Sequence, residues 1–168
     1  DVLVLLTCLS LTVLFDMVIA ISTGIVLASL LFMRDVSQMT RVSDISASRR
    51  QGLSGPLDEV PAGWSVFKIT GPLFFAAADR VFSELLAQVE GRRGVILYMD
   101  AVPVLDAGGL SALEKFIDAC GRRGVRLVVA DLQFQPLKTI ARGQLQPLEG
   151  KLEFTSTLRE AIERAVGG

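Results

Sequence analysis

The stretch Val95–Phe116, "VILYMDAVPVLDAGGLSALEKF", decides how the chain is read. Its first five residues, Val95–Met99, are continuously apolar, the pattern of a strand buried on both faces of a sheet. From Leu110 onward the apolar residues recur at helical spacing: Leu110, Leu113, Phe116, Ile117 and Cys120. Between strand and helix lies "DAVPVLDAGG". Asp106 fits an N-cap, because its carboxylate can accept from backbone N–H groups two or three residues on. Gly108 and Gly109 present bare amides at a helix N-terminus, where the dipole favours negative charge. The turn is therefore either an anion-tolerant working loop or a capped, closely packed corner. Spacing alone favours the corner.

Outward from this stretch the alternation continues. Trp64–Thr70 reads as a strand, with Val66 and Ile69 among its apolar members, and Gly71-Pro72 breaks it. "LFFAA" predicts a second short strand that leads into a helix striped with Val81, Leu85, Leu86 and Val89. Val125–Ala130, "VRLVVA", is the next strand. Pro136 stands in the first turn of a short helix, where its missing N–H costs nothing, and Gly143 closes that helix. "KLEF" reads as a weak edge strand, and Leu158, Ala161, Ile162 and Ala165 mark a final amphipathic helix. Strands alternating with helices define an α/β domain over residues 64–168, a β-sheet covered by helices. Gly91-Arg-Arg-Gly94 and Gly121-Arg-Arg-Gly124 echo each other between helix and strand. They could touch lipid headgroups or an acidic partner, but basic last turns closed by glycine explain them more simply.

Residues Val2–Met33 form a nearly unbroken apolar run whose only charge is Asp16. A signal peptide would be shorter and start with basic residues. One helix of this length would reach about 48 Å, against a hydrocarbon core of about 30 Å. A single tilted span would also place Asp16 near the bilayer centre. Two short helices turning near Asp16 avoid both problems, each too short to cross lipid alone but acceptable inside a larger bundle. The expectation is a transmembrane hairpin over residues 1–33, with Ala20, Ser22, Gly24 and Ala28 allowing close packing. Arg34, Arg41, Arg49 and Arg50 mark the following flank as cytoplasmic. Residues 34–63, rich in serine, glycine and proline, read as a linker whose first part extends the preceding helix.

Composition narrows the chemistry. The chain has 168 residues, 51% of them hydrophobic, and a net charge of −1. Its mean hydropathy of +0.49 is high for a purely soluble domain. No basic excess points to nucleic acid. Histidine is absent, which removes a Ser-His-Asp triad, histidine-ligated zinc and histidine phosphotransfer together. Without a nucleophile–base pair the chain does not read as an enzyme. Cys8 and Cys120 stand in unlike contexts, so no disulfide framework is expected. Asp100, Asp106, Glu114 and Asp118 are close in sequence, and Asp100 with Asp106 could share one rim at the carboxyl ends of the strands, but without histidine or a recognised loop geometry no metal is expected there. The first residue is Asp1, not Met, as expected of a fragment of a longer chain.

These elements carry a resemblance. "VLDAGGL" at a helix start, preceded by "ITGPLFFAAA" and followed by "FQPLKTIARGQLQP", is similar to a STAS domain, the sulfate-transporter and anti-sigma-factor-antagonist module. The apolar "LTVLFDMVIAISTGIVLASLLF" ahead of it resembles the last two membrane helices of SulP anion transporters of the SLC26 type. "GPLFFAAA" with "DAVPVLDAGGL" further resembles the bacterial C4-dicarboxylate (DauA-like) branch. In anti-sigma-factor antagonists the corresponding loop reads Asp-Ser-Ser/Thr-Gly, and its second hydroxyl residue accepts phosphate. Laid on that pattern, Asp106 matches the Asp, Ala107 and Gly108 replace the hydroxyl residues, and Gly109 matches the Gly. The acceptor position has no oxygen, and Ser111 lies inside the helix. The phosphoswitch does not carry over.

What the resemblance implies is the C-terminal part of a proton- or sodium-linked secondary anion transporter in a bacterial inner membrane, with residues 34–168 cytoplasmic. Substrate, succinate-like or sulfate, would bind in an N-terminal transport domain outside this sequence. The STAS domain would support homodimer assembly and regulation, without cofactor, metal or nucleic acid. Asp106, Ala107, Gly108, Gly109 and Ser111 would contact a protein partner, the transporter's gate or an anion. A membrane-tethered STAS scaffold that binds a protein partner or a nucleotide is the alternative.

Overall fold

The structure is a computed structural model that describes residues 2–14, 17–38, 40–46 and 56–167. It divides into two units, Asp1–Gln38 and Met39–Gly168.

The first unit is a pair of helices, α1 (Val2–Leu14) and α2 (Met17–Gln38). They meet closely. Ala20 is buried, the Cys8 thiol lies 3.8 Å from the Ala20 carbonyl oxygen, and a Cβ at Gly24 would come 2.5 Å from Cys8 Sγ. Of the four small residues expected to pack, Ala20 and Gly24 do so, whereas Ser22 and Ala28 are exposed. The expected pair of helices, each unable to cross lipid alone, is present, but the described helices do not make the pair a transmembrane hairpin. Among the described residues no helix is long and apolar enough to cross a membrane. With 13 residues α1 reaches about 20 Å. The apolar part of α2, which ends at Arg34, reaches about 26 Å, still short of a core about 30 Å thick. The turn expected at Asp16 lies outside the described residues.

The second unit is a five-stranded sheet in the order β1-β2-β3-β4-β5. The strands are β1 (Arg41–Asp44), β2 (Trp64–Thr70), β3 (Gly94–Ala101), β4 (Arg126–Ala130) and β5 (Leu152–Thr155). β1 runs antiparallel to β2, and the remaining pairs are parallel. Helices α3 (Phe75–Gln88), α4 (Ala107–Arg122) and α5 (Phe134–Arg142) connect the parallel strands, and α6 (Leu158–Val166) ends the chain. The connections step one way across the sheet, so a uniform crossover hand places α3, α4 and α5 on one face.

Strand periodicity sorts the core into two layers. Phe67, Ile69, Leu97, Met99, Leu127 and Val129 point to the face covered by α3, α4 and α5. There Leu85, Leu113 and Phe116 meet them, and the rings of Phe82 and Phe116 stack at 5.3 Å. Val66, Ile96 and Val128 point to the other face, closed by Ala161, Ile162 and Ala165 of α6 and by Val60. A short 3-10 turn, Pro56–Glu59, lies beside α6. Of the expected doubly buried run Val95–Met99, all but the half-buried Tyr98 are buried.

Two sequence expectations fail here. Residues 34–63 are not wholly a linker: Arg41–Asp44 is an edge strand in register with Phe67–Thr70, and Val42 packs on the core. A four-residue strand with one apolar member carries no periodicity to read. Residues 39 and 47–55 of the expected linker lie outside the described residues. "LFFAA" is not a strand either. Only Leu73 bridges to Leu105, and α3 begins at Phe75 because the alanines that follow favour helix.

Candidate functional site

The β3–α4 turn lies at the carboxyl edge of the parallel strands, where open α/β sheets place their ligands. β3 delivers the chain to this edge, and Pro103 to Leu105 turn it toward α4. The Leu73 N–H donates to the Val104 carbonyl at 2.8 Å, and the Gln135 side chain brackets Leu105. Gln135 Oε1 accepts from the Leu105 N–H at 2.8 Å, and its Nε2 donates to the Leu105 carbonyl at 3.2 Å. The buried Leu105 thus satisfies its backbone through a side chain from α5.

Asp106 caps α4 as expected. Its Oδ1 accepts from the Gly109 N–H at 2.6 Å. Its Oδ2 accepts from the Phe75 N–H at 3.3 Å, the first residue of α3. One carboxylate therefore ties the starts of two neighbouring helices. The N-cap of α3, Phe74, offers no side-chain oxygen, so Asp106 supplies what α3 lacks.

The glycines are there for closeness. A Cβ on Gly108 would stand 2.6 Å from the Cβ of Phe75, and one on Gly109 would collide with the Leu73 carbonyl. The start of α3 sits against the start of α4 and leaves no room for side chains between them. Ala107 is exposed beside this contact, and Ser111 is exposed further along α4. The five predicted residues thus divide: Asp106, Gly108 and Gly109 build the joint, whereas Ala107 and Ser111 face outward. Phe75, Leu73 and Gln135 belong to the same joint, and sequence reasoning missed them. Their partners lie about thirty residues away, and no local signal marks them.

Asp100 does not join Asp106. On the opposite face of the sheet, Lys68 Nζ donates to Asp100 Oδ2 at 2.9 Å and lies 4.9 Å from the centre of the Tyr98 ring. Burial, and then the Asp100 carboxylate, push the Tyr98 phenol above its ordinary range. Each aspartate thus has a separate structural task. Among the described residues no group of three or more His, Cys, Asp or Glu side chains could hold a metal. Gly91 and Gly124, in the two Gly-Arg-Arg-Gly turns, take φ of 73° and 69°, the left-handed geometry of helix-ending turns. Between α3 and α4 a half-open cavity of about 150 Å³ is lined by Phe82, Leu86 and Phe116, with Asp79 and Lys115 in its wall.

A mixed sheet with one antiparallel edge strand, three helices on one face and a capped glycine turn at the carboxyl edge defines an α/β domain of the STAS type. The STAS domain profile matches residues 56–161, and the chain belongs to that family. The "Putative sulfate transporter YvdB" of Bacillus subtilis is 31% identical over 160 residues, covering 92% of this chain and 28% of that protein. The chain therefore spans little more than a quarter of this curated relative. A crystal structure of a sulfate transporter family protein from Wolinella succinogenes is 30% identical, with a TM-score of 0.54 over 64% of this chain and 88% of that one. The murine anion transporter Slc26a9, in its inward-facing state, shares the fold at 16% identity. Its TM-score is 0.71, over 98% of this chain and 28% of that one.

Proposed function

We propose that this chain is the C-terminal part of a SulP/SLC26-type secondary anion transporter. In this reading α1 and α2 are terminal helices of the membrane part, and the STAS unit hangs in the cytoplasm. The observation that carries it is the surface of the helical pair. Val2, Leu5, Leu9, Val18, Ile25 and Phe32 are each more than half exposed. Hydroxyls on the same helices fold back onto carbonyls four residues earlier: Ser10 onto Leu6, Thr12 onto Cys8, Ser22 onto Val18 and Ser29 onto Ile25. Apolar side chains outside and polar groups satisfied within one helix suit lipid or a bundle of apolar helices. Helices shorter than the bilayer are accommodated inside such a bundle.

The STAS unit then supports dimer assembly and regulates transport, and substrate binds elsewhere. The β3–α4 turn favours this division, because Asp106 takes up the Gly109 amide and the start of α3 at Phe75 packs against Gly108. The cargo is an anion such as a C4-dicarboxylate or sulfate, coupled to protons or sodium, and the compartment is a bacterial inner membrane. The chain performs no chemistry of its own. An uptake panel of labelled succinate, sulfate and bicarbonate into vesicles, run with a transporter that ends in this chain, tests the reading. Uptake of one of these anions supports it. A correctly inserted protein that moves none of them points to a membrane-tethered signalling scaffold instead.

A further inference from the structure

From Leu132 to Leu148 the chain holds Lys138 and Arg142 and no acidic residue, although Asp131 and Glu149 flank the segment and the whole chain is slightly acidic. α5 occupies the middle of this segment. It buries Pro136 and Ile140, while Phe134, Leu137, Lys138 and Arg142 are exposed. Phe134 is 79% exposed, the most of any large apolar residue described in the second unit. Lys138 Nζ lies 5.9 Å from the centre of the Phe134 ring. Among the described residues neither Lys138 nor Arg142 has an acidic partner, whereas Arg80, Arg126 and Arg164 do. Phe75, 64% exposed, begins α3 as Phe134 begins α5. Both helices follow parallel strands, so both rings lie at the same edge of the sheet.

We propose that the exposed face of α5, led by Phe134 at this edge, docks on the surface of an anionic lipid bilayer. Phe134 and Leu137 enter the boundary between headgroups and acyl chains, and Lys138 and Arg142 meet lipid phosphates. Charge complementarity selects the occupant: an acid-free segment with two unpaired cations fits a uniformly negative surface. A short helix with aromatic and leucine side chains beside basic ones is the chemistry of an interfacial element. Long basic side chains keep their charges at headgroup level while their stems lie on apolar ground. The inference rests on the transporter reading in one respect, that a membrane is close by.

The unit 39–168 contains both buried cores and all the strand pairings among the described residues, so it folds without α1 and α2. Co-sedimentation of this unit with phosphatidylcholine vesicles, with and without phosphatidylglycerol, tests the proposal. Binding is expected only with phosphatidylglycerol and should fall as salt rises. Replacing Lys138 and Arg142 by glutamine together should weaken it roughly 25-fold, at about fivefold per charge. Phe134→Ser with Leu137→Ser should weaken it roughly tenfold or more. Circular dichroism confirms that each variant is folded. A folded unit that ignores both vesicle types, or binds them equally, overturns the proposal. So does dimerisation of the unit that Phe134→Ser abolishes, which would assign the face to a second copy. None of these failures alters anion uptake by the complete transporter, so the transporter reading is judged separately.

Discussion

Serine at position 108 would supply the hydroxyl that the phosphorylated relatives of this loop carry, yet the structure has no place for it. Its Cβ would meet the Cβ of Phe75 at 2.6 Å, backed by the start of α3. Gly108→Ser should therefore destabilise the domain by about 1–3 kcal/mol, read as a lower urea midpoint. A variant as stable as the parent would show that α3 yields easily and that the turn could accept a switch. Asp106→Ala removes acceptors from both Gly109 and Phe75 and should cost about 1–2 kcal/mol in the same assay. Asp106→Asn keeps an acceptor oxygen and should cost less. Cys120 gives a test in pH. Burial pushes its thiol from about 9 up to about 11. Below about pH 9 both folded and unfolded chains hold the proton, so stability is level. Between about 9 and 11 the unfolded thiol ionises and the folded one does not, so stability falls as pH rises. Cys120→Ala should flatten that slope, although Tyr98 adds a decline of the same sign. An unchanged slope would contradict the burial argument.

At the scale of elements, legibility follows apolar content. β3 and β4 are readable because Val95–Leu97, Met99 and Leu127–Ala130 are buried. α4 is readable because Leu110, Leu113, Phe116, Ile117 and Cys120 keep one stripe. β1 is not, since Arg41, Ser43 and Asp44 are polar and only pairing with β2 makes them a strand. The site divides in the same way. The cap at Asp106 is local and visible in sequence, whereas its second bond, to Phe75, joins residues 31 apart. β1 also anchors its neighbourhood: Thr40 Oγ1 donates to the Pro72 carbonyl at 2.6 Å, and Arg80 donates to the Thr40 carbonyl at 2.9 Å. A chain that starts at residue 56, where the family match begins, should thus be clearly less stable than one that starts at residue 39. Equal urea midpoints would make β1 an ornament. In the first unit, Gly24→Leu should drive α1 and α2 apart at Cys8. Cross-linking between cysteines placed on the two helices reads that separation.

For the whole molecule, the fold and the family are established by the sheet, the turn and the sequence match, but the cargo is not written in this chain. At the β3–α4 turn the Gly109 amide already has a carboxylate, that of Asp106. The account therefore separates two jobs, with anion binding in the transport domain and assembly or rate control in the STAS unit. Deleting residues 64–168 from a transporter that ends in this chain addresses that separation most directly, with anion binding and vesicle uptake measured on the same preparation. The account predicts that binding persists while dimer assembly or uptake rate falls. Loss of anion binding in a correctly folded, inserted protein would contradict it.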